Sequence, residues 1–219
     1  PIQEPPPSLR PARLESPVIA RIRMLGGVFL GKGSGASWSP DARRLAFNKP
    51  MPQSGIGIVD LKTGLQSTLV DAGRDPAWSP KDENVVAYVR DEEGETAIWI
   101  AKAARGQPRR IAEGSSPAWS PDGKTLYYVS GDRTLKAMSW PVRGEASEPK
   151  TIARNVGQHP AVSGDEKQVA SFGQSGFLDL IDCPSGKAST IRTIPGRENA
   201  FIRWSPDGKQ IACGAVTDG

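Results

Sequence analysis

The chain has 219 residues and a formal net charge of +4, and its 37% apolar residues can form one sizeable core or two small ones. Its basic residues are scattered rather than clustered, which argues against a nucleic-acid surface. No run of eighteen apolar residues is present, so we predict no membrane insertion. Two cysteines and one histidine cannot build a disulfide framework or a histidine-rich metal site, so we predict no cofactor and no metal.

The N-terminal residues, 1–17, are rich in proline (PIQEPPPSLRPARLESP) and predict an extended arm or linker. Two candidate strands follow, Val18–Met24 and Val28–Gly31. The pair Gly26-Gly27 between them is typical of a two-residue hairpin turn. We therefore expect a hairpin directly after the arm.

A short motif then recurs along the rest of the chain. It reads WSPDAR from Trp38, WSPKDE from Trp78 and WSPDGK from both Trp119 and Trp204, with a degenerate copy, VSGDEK, from Val162. These anchor residues are separated by 40, 41, 43 and 42 positions. A period near forty with strand-like content predicts the blades of a β-propeller.

Each complete repeat contains four predicted strands. The segment SPDG suits a tight turn, because proline presets its own φ and aspartate and glycine favour the positions after it. Apolar or alternating runs such as KTLYYV, LKAMSW and KTIA follow, separated by polar or glycine-bearing turns. We interpret the recurring tryptophan as a wedge between stacked blades, since a large flat side chain fills that gap.

The segment PAWSPDGKTLYYV, with LKAMSW after it, resembles the TolB-type repeat, a WD-like propeller repeat of the form PxWSPDGKxIAF. The resemblance covers roughly residues 18–216. It implies a TolB-type β-propeller, a place in the bacterial periplasm or cell envelope, and binding of a protein or peptide partner. The motif is specific for the fold and weak for the function, because propellers of this type serve in several roles.

The repeats predict an all-β propeller of four-stranded antiparallel blades covering 18–219. The last repeat supplies only two strands, and residues 18–35 supply two more, so we predict a composite fifth blade that closes the ring. The alternative is part of a propeller with six or more blades. The predicted blades are approximately 36–75, 76–116, 117–159, 160–201, and 202–219 completed by 18–35.

A propeller usually binds its ligand at the mouth of the central channel, where loops enter the innermost strands. Polar residues of those loops are our candidate partner-binding set. Among them His159 is the only histidine in the chain, and we expect it to be an exposed loop residue or a ligand contact. The predicted set is Arg74, Asp75, Ser115, Ser116, Gln158, His159, Arg197, Glu198 and Asn199.

No catalytic constellation is visible in the sequence. The segments GKGSGAS and GQSG do not match a nucleophile elbow, and GKGSG does not match a phosphate-binding loop. We therefore predict a non-catalytic binding or scaffolding module, with no catalytic residue. The alternative is the propeller part of an enzyme, either a prolyl-oligopeptidase-type peptidase gate or a polysaccharide lyase. A third possibility is a sensor domain of a bacterial signalling protein.

Overall fold

The computed structural model describes residues 34–50, 52–103, 106–140, 148–173, 177–191, 201–205 and 207–214. Within these ranges the chain forms eighteen β-strands. No helix long and apolar enough to cross a bilayer occurs in this part of the chain. The strands form five antiparallel sheets, each built from consecutive strands in chain order.

The first two sheets each have four strands. The first comprises β1 (Ser34–Trp38), β2 (Arg44–Asn48), β3 (Ile56–Asp60) and β4 (Gln66–Val70). The second comprises β5 (Arg74–Trp78), β6 (Val85–Glu92), β7 (Glu95–Lys102) and β8 (Arg109–Glu113). Strands β6 and β7 have eight residues each, whereas the strands of the first sheet have five, so their hairpin extends further.

The third and fourth sheets repeat this order, and the last has two described strands. The third comprises β9 (Ser115–Trp119), β10 (Thr125–Val129), β11 (Leu135–Ser139) and β12 (Lys150–Ala153). The fourth comprises β13 (Ala161–Val162), β14 (Gln168–Phe172), β15 (Leu178–Asp182) and β16 (Ala188–Ile191). The last comprises β17 (Phe201–Trp204) and β18 (Ile211–Gly214).

The predicted all-β architecture of four-stranded antiparallel sheets is confirmed. The predicted arm, 1–17, and the predicted N-terminal hairpin of the composite blade lie outside the described residues. The five-blade closure and the blade boundaries therefore stay predictions.

The SPDG motif forms a turn stabilised by its own side chains. Ser120 Oγ donates to Asp122 Oδ1 at 2.7 Å, and that oxygen also accepts the N–H of Lys124 at 2.9 Å. The N–H of Thr125 donates to Ser120 Oγ at 2.9 Å. Because one serine and one aspartate satisfy the backbone here, the turn needs no outside partner. The same arrangement recurs in three more turns, at Ser39/Asp41, Ser163/Asp165 and Ser205/Asp207.

Successive sheets stack through apolar side chains. Trp78 and Tyr88 of the second sheet are buried against Ala46 and Ile56 of the first. The opposite side of the second sheet packs on the third through residues such as Ile98. Stacked sheets of this kind are the expected core of a propeller.

The tryptophan anchors differ in how well they are covered. Trp78 is 4% exposed, and the Trp119 indole nitrogen Nε1 donates to Ala77 O of the preceding sheet at 3.0 Å. Trp38, by contrast, is 59% exposed. Trp78 packs against the preceding sheet. The equivalent position in the first sheet puts Trp38 on the face opposite to the second sheet. No sheet of the described ranges covers that side.

The first strand of each sheet is the innermost one. Strand β1 contacts β5, β5 contacts β9, β9 contacts β13 and β13 contacts β17. The loops that enter these strands therefore lie at one end of the sheets, together with the β2–β3 and β6–β7 connections. The SPDG turns lie at the opposite end, because neighbouring strands are antiparallel.

Candidate partner-binding site at the channel mouth

Four of the five anchors share an irregular backbone position three residues before them, in the innermost strand or, for the fourth sheet, just ahead of it. Gly35, Asp75, Ser116 and His159 all have left-handed backbone conformations, with φ between 54° and 58°. In β5 the pairing shifts between Arg74 and Ala77, so two residues oppose one on β6. Such a bulge bends the strand and redirects its side chains. Three of the predicted mouth residues therefore occupy the same strained position in successive sheets.

Arg74 stands in a charged group at the start of β5. Its Nη1 lies 3.1 Å from Asp91 Oδ2, and its Nε lies 3.8 Å from Asp75 Oδ2. The Thr96 hydroxyl donates to the other Asp91 oxygen, Oδ1, at 2.8 Å. Two carboxylates thus flank one guanidinium, which leaves one excess negative charge in this group.

A side chain of the first sheet fixes the bulge in the second. The N–H of Asp75 donates to Asn48 Oδ1 at 2.8 Å. Asn48 Nδ2 lies 3.4 Å from Ser34 Oγ, on the innermost strand of its own sheet. Asn48 therefore ties the starts of β1 and β5 together at the mouth.

Another side chain joins the third and fourth sheets. The hydroxyls of Ser115 and Ser116 both donate to Gln158 Oε1, at 2.9 and 2.6 Å. Ser116 is 4% exposed, whereas Gln158 lies at the surface. The buried hydroxyl of Ser116 and the hydroxyl of Ser115 therefore fix the orientation of the exposed Gln158 carboxamide.

The remaining predicted mouth residues divide into two groups. His159 is exposed and follows Gln158 directly, at the left-handed position of the fourth sheet. Arg197, Glu198 and Asn199 lie outside the described residues. The sequence did not single out Asn48 or Asp91, because their contacts cross between repeats or hairpins and carry no local signal.

The hairpin RDEEGE between β6 and β7 borders a cleft of about 320 Å³. Glu92, Glu93, Glu95, Ala97 and Arg110 line it, and Arg110 Nη2 lies 3.0 Å from Glu95 Oε2. Across the described ranges, no three histidine, cysteine, aspartate or glutamate side chains are grouped so that they could hold a metal ion. Two glutamates of this hairpin, Glu92 and Glu95, form ion pairs with Arg90 and Arg110.

Cys183 is half-buried beside Tyr127. Burial raises the pKa of its thiol. The reactive form of cysteine is the thiolate, so this side chain is a poor nucleophile at neutral pH. It packs as a small apolar residue in the core between the third and fourth sheets.

No family model matches the chain, and no curated protein matches its sequence. Solved structures do match it. TolB from Acinetobacter baumannii superposes with a TM-score of 0.68 at 20% identity, covering 82% of this chain and 48% of TolB. An oligogalacturonate lyase from Vibrio parahaemolyticus gives a TM-score of 0.60 at 14% identity, covering 82% of this chain and 61% of the lyase.

A gluconolactonase from Xanthomonas campestris gives a TM-score of 0.65 at 16% identity, covering 84% of this chain and 69% of the lactonase. The chain spans about half the length of the TolB structure and less than two thirds of the lyase. These matches establish the fold. Proteins of different activity share this fold, so the matches do not establish a function. The resemblance predicted from the WSPDG repeats is thereby confirmed: the chain has the fold of a TolB-type β-propeller.

Proposed function

We propose that the chain is a non-catalytic binding or scaffolding propeller that holds a protein or peptide partner at the channel mouth. The supporting observation is the fixed polar surface at that mouth. The Gln158 carboxamide accepts a hydrogen bond from Ser116 of the neighbouring sheet, and the backbone N–H of Asp75 donates one to Asn48, so the carboxamide and the backbone that carries the Asp75 side chain are positioned before a partner arrives. Preorganised polar groups lose little freedom on binding, which favours recognition.

The chemistry of this surface suits a peptide. Arg74 and the Gln158 amide offer hydrogen-bond donors, and Asp75 and Asp91 offer acceptors. A peptide backbone presents both kinds of group at every residue. We propose that the chain belongs to a bacterial envelope protein or is a module of a signalling protein. The likeness to TolB supports an envelope protein.

Affinity capture from a bacterial envelope extract tests the proposed role. The double variant Asp75→Ala/Gln158→Ala removes one acceptor carboxylate and the fixed carboxamide from the mouth, and it should lower the amount of captured partner at least tenfold. Lys124→Ala is the matched control, because Lys124 is 77% exposed and lies in an SPDG turn at the opposite end of the sheets. Equal capture by the double variant and the wild type would show that the partner binds elsewhere or not at all.

The alternative is the propeller part of an enzyme, since a lyase and a lactonase share the fold. Incubating the purified chain with oligogalacturonate and with gluconolactone checks it directly. Under the binding proposal neither compound is converted. Turnover that disappears in His159→Ala would instead favour an enzyme with its site at the same mouth.

A further inference from the structure

Two hydroxyls converge on a single oxygen at the channel mouth. Ser115 Oγ and Ser116 Oγ lie 2.9 and 2.6 Å from Gln158 Oε1, and both donate to it. The serines belong to β9, whereas Gln158 precedes β13 in the next sheet. Gln158 is exposed, and an exposed glutamine normally samples many rotamers; here its carboxamide plane is pinned by two bonds.

The two bonds to the oxygen leave the amide nitrogen without a partner among the described residues. A carboxamide oxygen has two lone pairs, and the two serines occupy both. The amide nitrogen Nε2 carries two hydrogens, and no described residue accepts either of them. Gln158 therefore presents two oriented N–H donors at the mouth, beside the exposed side chain of His159.

Ser116, which donates a hydrogen bond to Gln158, has an unfavourable backbone conformation. Ser116 has a φ of 56°, a left-handed conformation that most residues avoid. Its hydroxyl is buried and is satisfied by the Gln158 oxygen. This conformation recurs at Gly35, Asp75 and His159 and therefore belongs to the repeat, but of the equivalent residues Ser116 is the one whose hydroxyl fixes the carboxamide of Gln158.

We propose that Ser115 and Ser116 are positioning residues that present the Gln158 amide to a backbone carbonyl of an extended peptide. This inference rests on the proposed role of the mouth as a peptide-binding surface. The ligand group must be an acceptor, because Nε2 only donates. A backbone carbonyl suits this neutral amide, since it accepts hydrogen bonds and brings no charge that would need a partner of its own. An extended peptide offers such carbonyls at regular spacing.

Selection from a random dodecapeptide library displayed on phage supplies the probe, with the purified chain as bait. The enriched peptides are synthesised, and their Kd values are measured by calorimetry for the wild type and its variants. Gln158→Glu keeps an oxygen for both serines but replaces the two donors with a second oxygen. We expect it to weaken binding about tenfold or more.

Ser116→Ala keeps Gln158 but releases half of its support, so we expect the Kd to rise about three- to tenfold. Gln168→Glu is the matched control, because it makes the same substitution at the SPDG end of the same sheet. Its Kd should stay within about twofold of the wild type. Thermal melting of each variant separates a loss of binding from a loss of fold.

The outcomes distinguish the inference from the function on which it rests. Failure of the wild type to enrich any peptide overturns both. Enriched peptides that bind Gln158→Glu as tightly as the wild type overturn the inference alone. A weaker Kd in Gln158→Glu and Ser116→Ala, at unchanged melting temperature, supports it, because a purely structural role would lower the melting temperature instead.

Discussion

The indole nitrogen Nε1 of Trp119 donates a hydrogen bond to the carbonyl oxygen of Ala77, 3.0 Å away on the innermost strand of the preceding sheet. Trp204 repeats this contact with Ala161 at 2.9 Å. In both cases the acceptor lies one residue before the anchor of the preceding repeat. The tryptophan therefore joins adjacent sheets through a hydrogen bond as well as through its apolar surface.

Trp119→Phe should destabilise the fold by about 1–3 kcal/mol, because it removes this bond and part of the buried ring. Trp38→Phe is the matched control. Its side chain is 59% exposed, so the same substitution should change the free energy of unfolding by less than about 0.5 kcal/mol. Urea denaturation of the two variants measures the difference. A large loss of stability in Trp38→Phe would mean that its side chain is covered in solution.

The aspartates of the SPDG turns should make stability depend on acid pH. The N–H of Lys124 and the hydroxyl of Ser120 hold the pKa of Asp122 below its usual value. The corresponding serine hydroxyl and backbone N–H lower the pKa of the aspartates in three further turns. These are Asp41, Asp165 and Asp207.

A carboxylate whose pKa is lower in the folded state stabilises the fold above its unfolded pKa, about 3.9. That stability is lost as the pH falls through the folded pKa. Replacing all four aspartates with asparagine keeps an acceptor oxygen but removes the titration. Urea midpoints between pH 2.5 and 7 should therefore fall less steeply below pH 4 in the fourfold variant. Parallel curves for the variant and the wild type would contradict this account.

The sequence predicted the repeat unit well because its signals are local. Trp119 and the SPDG turn after it lie within a few residues, and turn chemistry and strand alternation act over the same distance. Position in the repeat also indicated that Asp75 and Gln158 share one end of the sheets, while their role in binding stays a prediction. The partners Asn48 and Asp91 were missed, because each belongs to a different strand whose register only the folded sheets reveal.

Backbone conformation was also beyond the sequence. Aspartate, serine and histidine fill the position three residues before the anchor in successive repeats, and these types share no obvious pattern. Their common feature is a left-handed φ, which coincides with a bulge in β5 and in β9. The burial of Trp38 could not be predicted either. Its motif matches that of the buried anchor Trp78, but its exposure depends on what packs beside the first sheet.

All three tyrosines should resist ionisation while the protein is folded. Burial raises the pKa of Tyr127 and of Tyr128 to about 12, and it also raises that of Tyr88. A group whose pKa is raised in the folded state stabilises the fold below its unfolded pKa, here about 10. This stability is lost as the pH rises from about 10 towards 12.

Absorbance at 295 nm during alkaline titration reports phenolate directly. We expect the native chain to ionise above pH 10, with Tyr127 and Tyr128 titrating near pH 12, whereas in 6 M guanidinium the tyrosines should be half ionised near pH 10. Tyr127→Phe should reduce the total change by a third, since the chain has three tyrosines. A native component that titrates at pH 10 would show that one of these rings is open to solvent.

The left-handed position before the fourth anchor should tolerate glycine better than a branched residue. His159 has a φ of 56°, a conformation that costs an ordinary residue about 1–2 kcal/mol. Glycine avoids this cost but loses about 0.5–1 kcal/mol through its greater freedom in the unfolded chain. His159→Gly should therefore be as stable as the wild type or slightly more stable, by up to about 1 kcal/mol.

His159→Val places a β-branched side chain in the same conformation and should lose about 1–2 kcal/mol. For a chain of this size that corresponds to a melting temperature lower by roughly 2–8 °C. Differential scanning calorimetry of the two variants tests the order glycine, histidine, valine. Because His159 is exposed, burial does not contribute to this order, so a valine variant as stable as the glycine one would mean that residue 159 does not have a left-handed conformation in solution.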